Sequence, residues 1–578
     1  MPRVTIDNTA FEFEGRPLLL QFCLDHGIEL AHFCYHPAMS VPANCRQCLV
    51  DVGMPLRDRA TGEIQTDSDG EPLIRFFPKL QTSCSLALSD GMVVHTPRSS
   101  KKVARAQRDT MEFLLINHPL DCPICDQAGH CPLQIQAYKY GPEGSRFEFH
   151  KTHKPKKVKL GPRVILDAER CINCTRCVRF TDEISKSHQL TIIERGVKNY
   201  PMTPPGATFD EPYSMNVIDV CPVGALTSVD FRFRARIWEM SKTPSIITTG
   251  AKGSNCWLWV RDNLVLRVTP RPNPDVNKFW LPDVDRLDYD RFNSDRPSGP
   301  LVRGLNGTAL ASWDDAFGHA ARILTDAGGM RTLFLASAMA TVEDNYLLKR
   351  LAESLGGTVA GFLPHVEVGR GDGWLLTDDL TPNAEGCRRL GIDEVDVALL
   401  RAQLRGGSFD VVYVLEDDPV RAGLFAADDL RTIAVVLHHT HTTNRTLNSA
   451  NVALPAATVA ETAGTFVNQD ARAQRVVPAK AVRGVSRTLR MYMGLSRADT
   501  HGTPFDRWHN EAHQINCRPS WDILPAVARK AGVDLTYPGP KQVMDEIAAT
   551  FDTFADATWD AMQLSGVQLA EAGVTQST

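Results

Sequence analysis

The sequence lacks any apolar run of the roughly 18 residues needed to cross a bilayer, so no spanning helix is expected. It also lacks a surplus of positive charge. Lys and Arg number 63 against 68 Asp and Glu, and the net charge of −5 argues against a general nucleic-acid binder. No GxGxxG follows a strand pattern and no GxxxxGK[ST] occurs, so the chain is not expected to bind a dinucleotide itself. GRGDG at 369–373 misses the pattern and reads as a turn. The opening MPRVTIDNTAFEFEG has no charged-then-apolar leader, which makes the reducing cytoplasm the expected compartment. There is no internal repeat and no low-complexity tract. Cysteine is scarce after residue 221, where Cys256, Cys387 and Cys517 stand alone.

Before residue 221 the balance reverses. Twelve of the 15 cysteines lie in residues 1–221. A chain of 578 residues can bury a large core unaided, so it needs no disulfide framework. Zinc sites, iron–sulfur clusters and scattered core thiols remain, and spacing must separate them.

One set is Cys34, Cys45, Cys48 and Cys84, in FCYHPAMSVPANCRQCLVDV and LQTSCSL. A two-residue gap lets two thiolates on one turn reach a single centre. The strand–helix–loop context is that of plant-type ferredoxins, although their first gap is four residues and here it is ten. The same thiolates suit a [2Fe–2S] cluster or zinc. The next set is His118, Cys122, Cys125 and Cys131, in NHPLDCPICDQAGHCPLQ. It suits a zinc site of three cysteines and one histidine, or a cluster with one imidazole ligand. Neutral imidazole in place of thiolate makes a site less negative and favours its reduced state. His130 reads as a non-ligand loop residue. The last set is Cys171, Cys174 and Cys177 in ERCINCTRCVRF, with Cys221 in VIDVCPVGAL. CxxCxxC with a distant Cys-Pro is the bacterial ferredoxin signature, and one complete run predicts one [4Fe–4S] cluster. Eleven cysteines and one histidine then make three sets of four. Cys23 is left as a small buried hydrophobe on the first helix.

Elsewhere, VTIDN and FEFEG read as short strands, Pro17 to His26 as a helix, and 53–78 as an inserted hairpin. Residues 98–117 place Val103, Ala106, Met111, Leu114 and Leu115 on one helical face. KTHKPKKVKLGPR at 151–163 reads as a solvated basic linker, with docking to an acidic partner as its functional alternative. Past residue 240, TLFLAS, FDVVYVL and TIAVVLH alternate with helical segments, one capped by Thr341 and closed by Gly356-Gly357. This predicts an α/β domain with a mainly parallel sheet. His438, His439 and His441 read as a loop capping that sheet.

The order of these motifs, and the wording MEFLLINHPLDCPICDQAGHCPLQ, resembles the large iron–sulfur subunit, of the 75-kDa type, of NADH–quinone oxidoreductase, respiratory complex I. The resemblance implies a multidomain α+β and α/β chain. A β-grasp [2Fe–2S] ferredoxin-like domain would occupy 1–97, a His/Cys-ligated [4Fe–4S] module 98–150 and a [4Fe–4S] ferredoxin-like module 151–239. A degenerate molybdopterin-type entry domain without cluster ligands would occupy 240–296. The remainder, 297–578, would be a molybdopterin-oxidoreductase-like α/β domain without its cofactor. The resemblance assigns [2Fe–2S] to the Cys34 set and one [4Fe–4S] each to the His118 and Cys171 sets, and it implies no catalytic residue on this chain. The partners implied are a flavin- and NADH-binding subunit and other peripheral-arm subunits, on the cytoplasmic face of the membrane. Two departures stand out. The gap from Cys48 to Cys84 is long for the family. Ile247, Gly250 and Ser254 occupy the places of a fourth cluster's cysteines in some members, with Cys256 out of register, so no fourth cluster is expected. Rival readings are an electron-transfer subunit of an NAD-linked hydrogenase or formate dehydrogenase, and a zinc-stabilised scaffold without redox activity.

Overall fold

Alternating residues build the first hairpin of the computed structural model, which describes residues 1–58, 61–483 and 513–570. The hairpin joins β1 (Arg3–Ile6) and β2 (Thr9–Glu12), turned by Asp7 and Asn8 at positive φ. Next come α1 (Leu19–Asp25), β3 (Leu49–Pro55), β4 (Ile74–Phe76), β5 (Gln81–Thr82) and β6 (Met92–His95). They form one sheet in the order β2-β1-β6-β3-β4, with β5 on β3. The β1–β6 pair is parallel and the others are antiparallel. Leu19, Leu20, Phe22 and Cys23 of α1 pack on Val4, Ile6, Val50, Val52 and Val94 of the sheet. The 53–78 segment extends the β3–β4 hairpin through bridges at Arg57–Ile64 and Thr66–Pro72.

α2 (Lys101–Leu115) starts at Ser100, whose hydroxyl accepts from the Val103 amide. Val103 and Met111 are buried as its apolar spacing predicts, and so is Gln107, whose amide donates to the Leu49 carbonyl. α3 (Pro132–Tyr140), β7 (Val158–Lys159), β8 (Val164–Leu166), α4 (Arg176–Arg179), β9 (Thr191–Ile193), β10 (Tyr200–Met202), α5 (Asn216–Val220) and β11 (Leu226–Ser228) complete a compact unit, Met1–Trp238. The basic stretch is not a free linker. Lys151 donates to the Leu115 and Ile116 carbonyls and Lys154 to that of Asn199, while Lys156 pairs with Asp121 and Glu169. It is a clasp inside this unit.

The second unit, Glu239–Thr578, starts with an antiparallel sheet of β12 (Ser241–Ile246), β13 (Asn255–Arg261) and β14 (Leu264–Pro270), followed by α6 (Asp283–Leu287). Then come β15 (Leu301–Gly304), β16 (Gly307–Leu310), α7 (Trp313–Ala327), β17 (Thr332–Ala336), α8 (Val342–Leu355), β18 (Thr358–Phe362), α9 (Ala384–Arg389) and α10 (Val397–Arg405). β19 (Val411–Val414), β20 (Ala434–His439) and β21 (Val452–Pro455) complete a seven-stranded sheet, ordered β16-β15-β21-β20-β19-β17-β18 and parallel from β21 to β18. Both faces are covered. Val411, Tyr413 and Leu415 enter one core, and Val412 and Val414 the other. Thr341 and Asp344 close a capping box at the start of α8, and Gly356 ends it at φ 68°. His438 and His439 lie in β20 itself, not in a loop beyond it. Burial holds His438 neutral, with its pKa lowered to about 3, between the Tyr413 hydroxyl at 2.6 Å and the Ser520 hydroxyl at 3.1 Å.

Candidate iron–sulfur centres

The Cys34 set gathers on the loop after α1 and on the short segment after β5. Cys34, Cys48 and Cys84 are buried and Cys45 is half-buried. Their sulfurs touch in a chain, Cys45 to Cys34, Cys34 to Cys84 and Cys84 to Cys48. Ala43 and Arg46 take positive φ, 51° and 56°, which folds the loop back on itself. The amides of Asn44 and Cys45 then reach Cys34, and that of Gln47 reaches Cys45. Hydrogen bonds from Cys45 and Cys84 pull the Cys34 thiol well below its ordinary range. Donating those bonds pushes Cys45 and Cys84 up.

The His118 set lies between α2 and α3. Cys125 and Cys131 are buried and Cys122 is exposed. Burial lowers the His118 pKa to about 4, and Arg170 and Lys151 add to the effect. Its Nδ1 is buried without a hydrogen-bond partner. A neutral imidazole with a spare buried nitrogen is in the state that ligates metal. Amides of Gln127, Leu133 and Gln134 point at Cys125 and Cys131.

The Cys171 set lines one apolar hollow. All four cysteines face it, along with Ile172, Ile192, Pro201 and Leu226. Asn173 and Thr175, at φ 53° and 62°, repeat the left-handed device between ligands. The Asn173, Arg176 and Val178 amides serve Cys171, Cys174 and Cys177, and those of Val223, Ala225 and Leu226 serve Cys221. Burial pushes Cys171, Cys174 and Cys221 up to about 11, and Cys177 further, with the neighbouring sulfurs adding to it. Four thiolates in this space need positive charge supplied from outside the protein. Among the described residues no group of three His, Cys, Asp or Glu is arranged to hold a single ion.

Sequence reasoning missed the residues at the junctions. Cys131 Sγ lies 3.7 Å from the Pro222 carbonyl, and a Cβ on Gly224 would overlap Cys125 Sγ. Arg170 donates to the Gly224 carbonyl and pairs with Asp121. Arg176 and Arg179 reach the carbonyls of Tyr35 and Cys34. The Cys171 set therefore stands between the other two. These arginines sit inside ERCINCTRCVRF, yet their partners lie up to 145 positions away.

Family models match four stretches of the chain. They are described as NADH-ubiquinone oxidoreductase-G iron-sulfur binding region (107–146), NADH-quinone oxidoreductase subunit 3, ferredoxin-like domain (161–227), NADH-ubiquinone oxidoreductase NDSU1/NuoG-like, 4Fe-4S domain (240–290), and molybdopterin oxidoreductase (392–489). The NADH-ubiquinone oxidoreductase 75 kDa subunit of Reclinomonas americana is 36% identical over 62% of this chain and 48% of its own length. NADH-quinone oxidoreductase subunit 3 of Thermus thermophilus is 36% identical over 61% of this chain and 46% of its own. The chain is a homologue of the 75 kDa subunit of NADH-quinone oxidoreductase. It spans about half the length of the curated 75 kDa-type relatives it matches. A crystal structure of an NAD+-reducing [NiFe]-hydrogenase is 25% identical with a TM-score of 0.32, covering 41% of this chain and 91% of that one.

The 75 kDa-type likeness includes iron–sulfur binding regions at the His118 and Cys171 sets, while the Cys34 set lies outside the matched stretches. The 4Fe-4S stretch 240–290 contains a single cysteine, Cys256, fully buried in β13. Cys387 lies just before the molybdopterin oxidoreductase match and is buried in α9. A cavity of about 350 Å³ opens at the carboxyl ends of β17 and β19, where the strand order reverses. Asp344, Glu416, Arg291, Arg421 and His441 line it, and no cysteine does.

Proposed function

We propose that this chain is the electron-relaying subunit of an NADH–quinone oxidoreductase of the complex I type. It would take electrons from a flavin-bearing partner that oxidises NADH and pass them towards quinone on other subunits. Cys34, Cys45, Cys48 and Cys84 would hold a [2Fe–2S] cluster on a β-grasp sheet. His118, Cys122, Cys125 and Cys131 would hold one [4Fe–4S] cluster, and Cys171, Cys174, Cys177 and Cys221 another. The observation that carries this reading is the contact series of three ligand sets within one unit, joined at Arg176 and at Gly224.

Bound clusters supply one-electron carriers that change charge with little rearrangement. The protein's own part is fixed geometry. Left-handed residues aim amides at the sulfurs, and apolar walls keep water from them. Both favour small reorganisation around each set. Between 240 and 296 the chain offers no ligand set for a fourth cluster, and the large domain serves as a scaffold without molybdopterin. The described residues include no helix able to cross a membrane. The subunit would lie peripherally on the cytoplasmic face, with proton pumping left to membrane partners. Anaerobically purified chain should contain about ten iron atoms with matching sulfide and give paramagnetic resonance signals on reduction. A colourless, zinc-containing protein without such signals would sink the reading.

A further inference from the structure

Arg176 is a half-buried cation with no anion of its own among the described residues. It opens α4, between Cys174 and Cys177. One guanidinium nitrogen donates to the Val220 carbonyl at 3.2 Å, just before Cys221. Another donates to the Tyr35 carbonyl, just after Cys34. Its Nε is shut away from water and has no hydrogen-bond partner. Apart from repulsion by Arg179, the charges that act on it are those of Cys174, Cys221 and Cys34. Arg170, at the other junction, is different, because Asp121 and Asp167 neutralise it.

Withdrawing a guanidinium from water without a counter-charge is costly. Here the counter-charge can come only from the two ligand sets that the side chain spans. We infer that Arg176 is a positioning residue shared by two centres, one fixed charge that raises the reduction potentials of the Cys34 and Cys171 sets together. The inference rests on the cluster assignment proposed above. Reduction adds negative charge to a centre, and a nearby cation favours that state. Two carbonyl anchors on separate loops keep the charge from drifting towards either centre.

The test is a redox titration of the full chain, followed by paramagnetic resonance, with signals assigned through ligand variants. Arg176→Met should lower the midpoint potentials of both the Cys34 and the Cys171 signals and leave the His118 signal where it was. Arg176→Lys, which keeps the charge, should restore both towards wild type. Should Arg176→Met fail to fold, Arg176→Gln carries the same expectation, because it keeps an amide donor without the charge. Movement of one potential alone, or of neither, overturns the inference. Loss of all iron from the wild-type chain would instead overturn the cluster assignment.

Discussion

At the scale of single residues, the candidate centres are defined by what burial does to charge. His118 is kept neutral with one ring nitrogen unspent. Replacing it by cysteine exchanges a neutral ligand for an anionic one. His118→Cys should therefore keep its cluster and lower that cluster's potential in a redox titration. An unchanged potential would remove His118 from the ligand set. A second residue-scale effect lies in the large domain. Burial raises Asp344 to about 6 and Glu416 to about 8, each above its ordinary value. The folded state then holds protons that the unfolded state has released, so stability is greater below the ordinary carboxylate range and falls as pH rises towards about 8. Glu416→Gln should flatten that decline in melting temperature between about pH 5 and 8. If the slope is unchanged, the Glu416 carboxyl is not buried as described.

At the scale of elements, loops and caps do the positioning. Gly224 follows Cys221 closely and touches the neighbouring set. Gly224→Ala should displace Cys125 and empty the His118 set, lowering iron from about ten to about six per chain by metal analysis. Retention of all the iron would mean that the contact has room to yield. On α8, Thr341→Ala removes the side chain that receives the Asp344 amide at 3.1 Å and should cost about 1 kcal/mol in denaturant unfolding. Much of this was legible beforehand. The capping Thr341, the closing Gly356 and the CxxC spacings are local signals, set within a few residues. What was not legible depends on distant partners. Gln107 sits on the buried face of α2 because it answers the Leu49 carbonyl. The lysines of 151–163 turn inward because carbonyls and carboxylates await them. The junction arginines act across sequence gaps that no spacing rule covers.

At the scale of the whole molecule, every ligand of the three sets belongs to one compact unit and the large parallel sheet to the other. Metal that binds only the folded state stabilises the unit that contains it. Calorimetry of the iron-loaded chain should show two transitions, and stripping the iron with a chelator should lower one and leave the other in place. If both move together, the two units unfold as one. The alternation of strands and helices announced the second unit in advance. The first was announced by cysteine spacing, since its strands are short and its core small.

The middle position of the Cys171 set has a further consequence. Three stations in a row form a series circuit, and a series circuit has no bypass. Cys221→Ser should leave the two outer centres reducible by a small diffusing donor, yet isolated from one another within the chain. A lesion at either end would shorten the line; a lesion at this one cuts it.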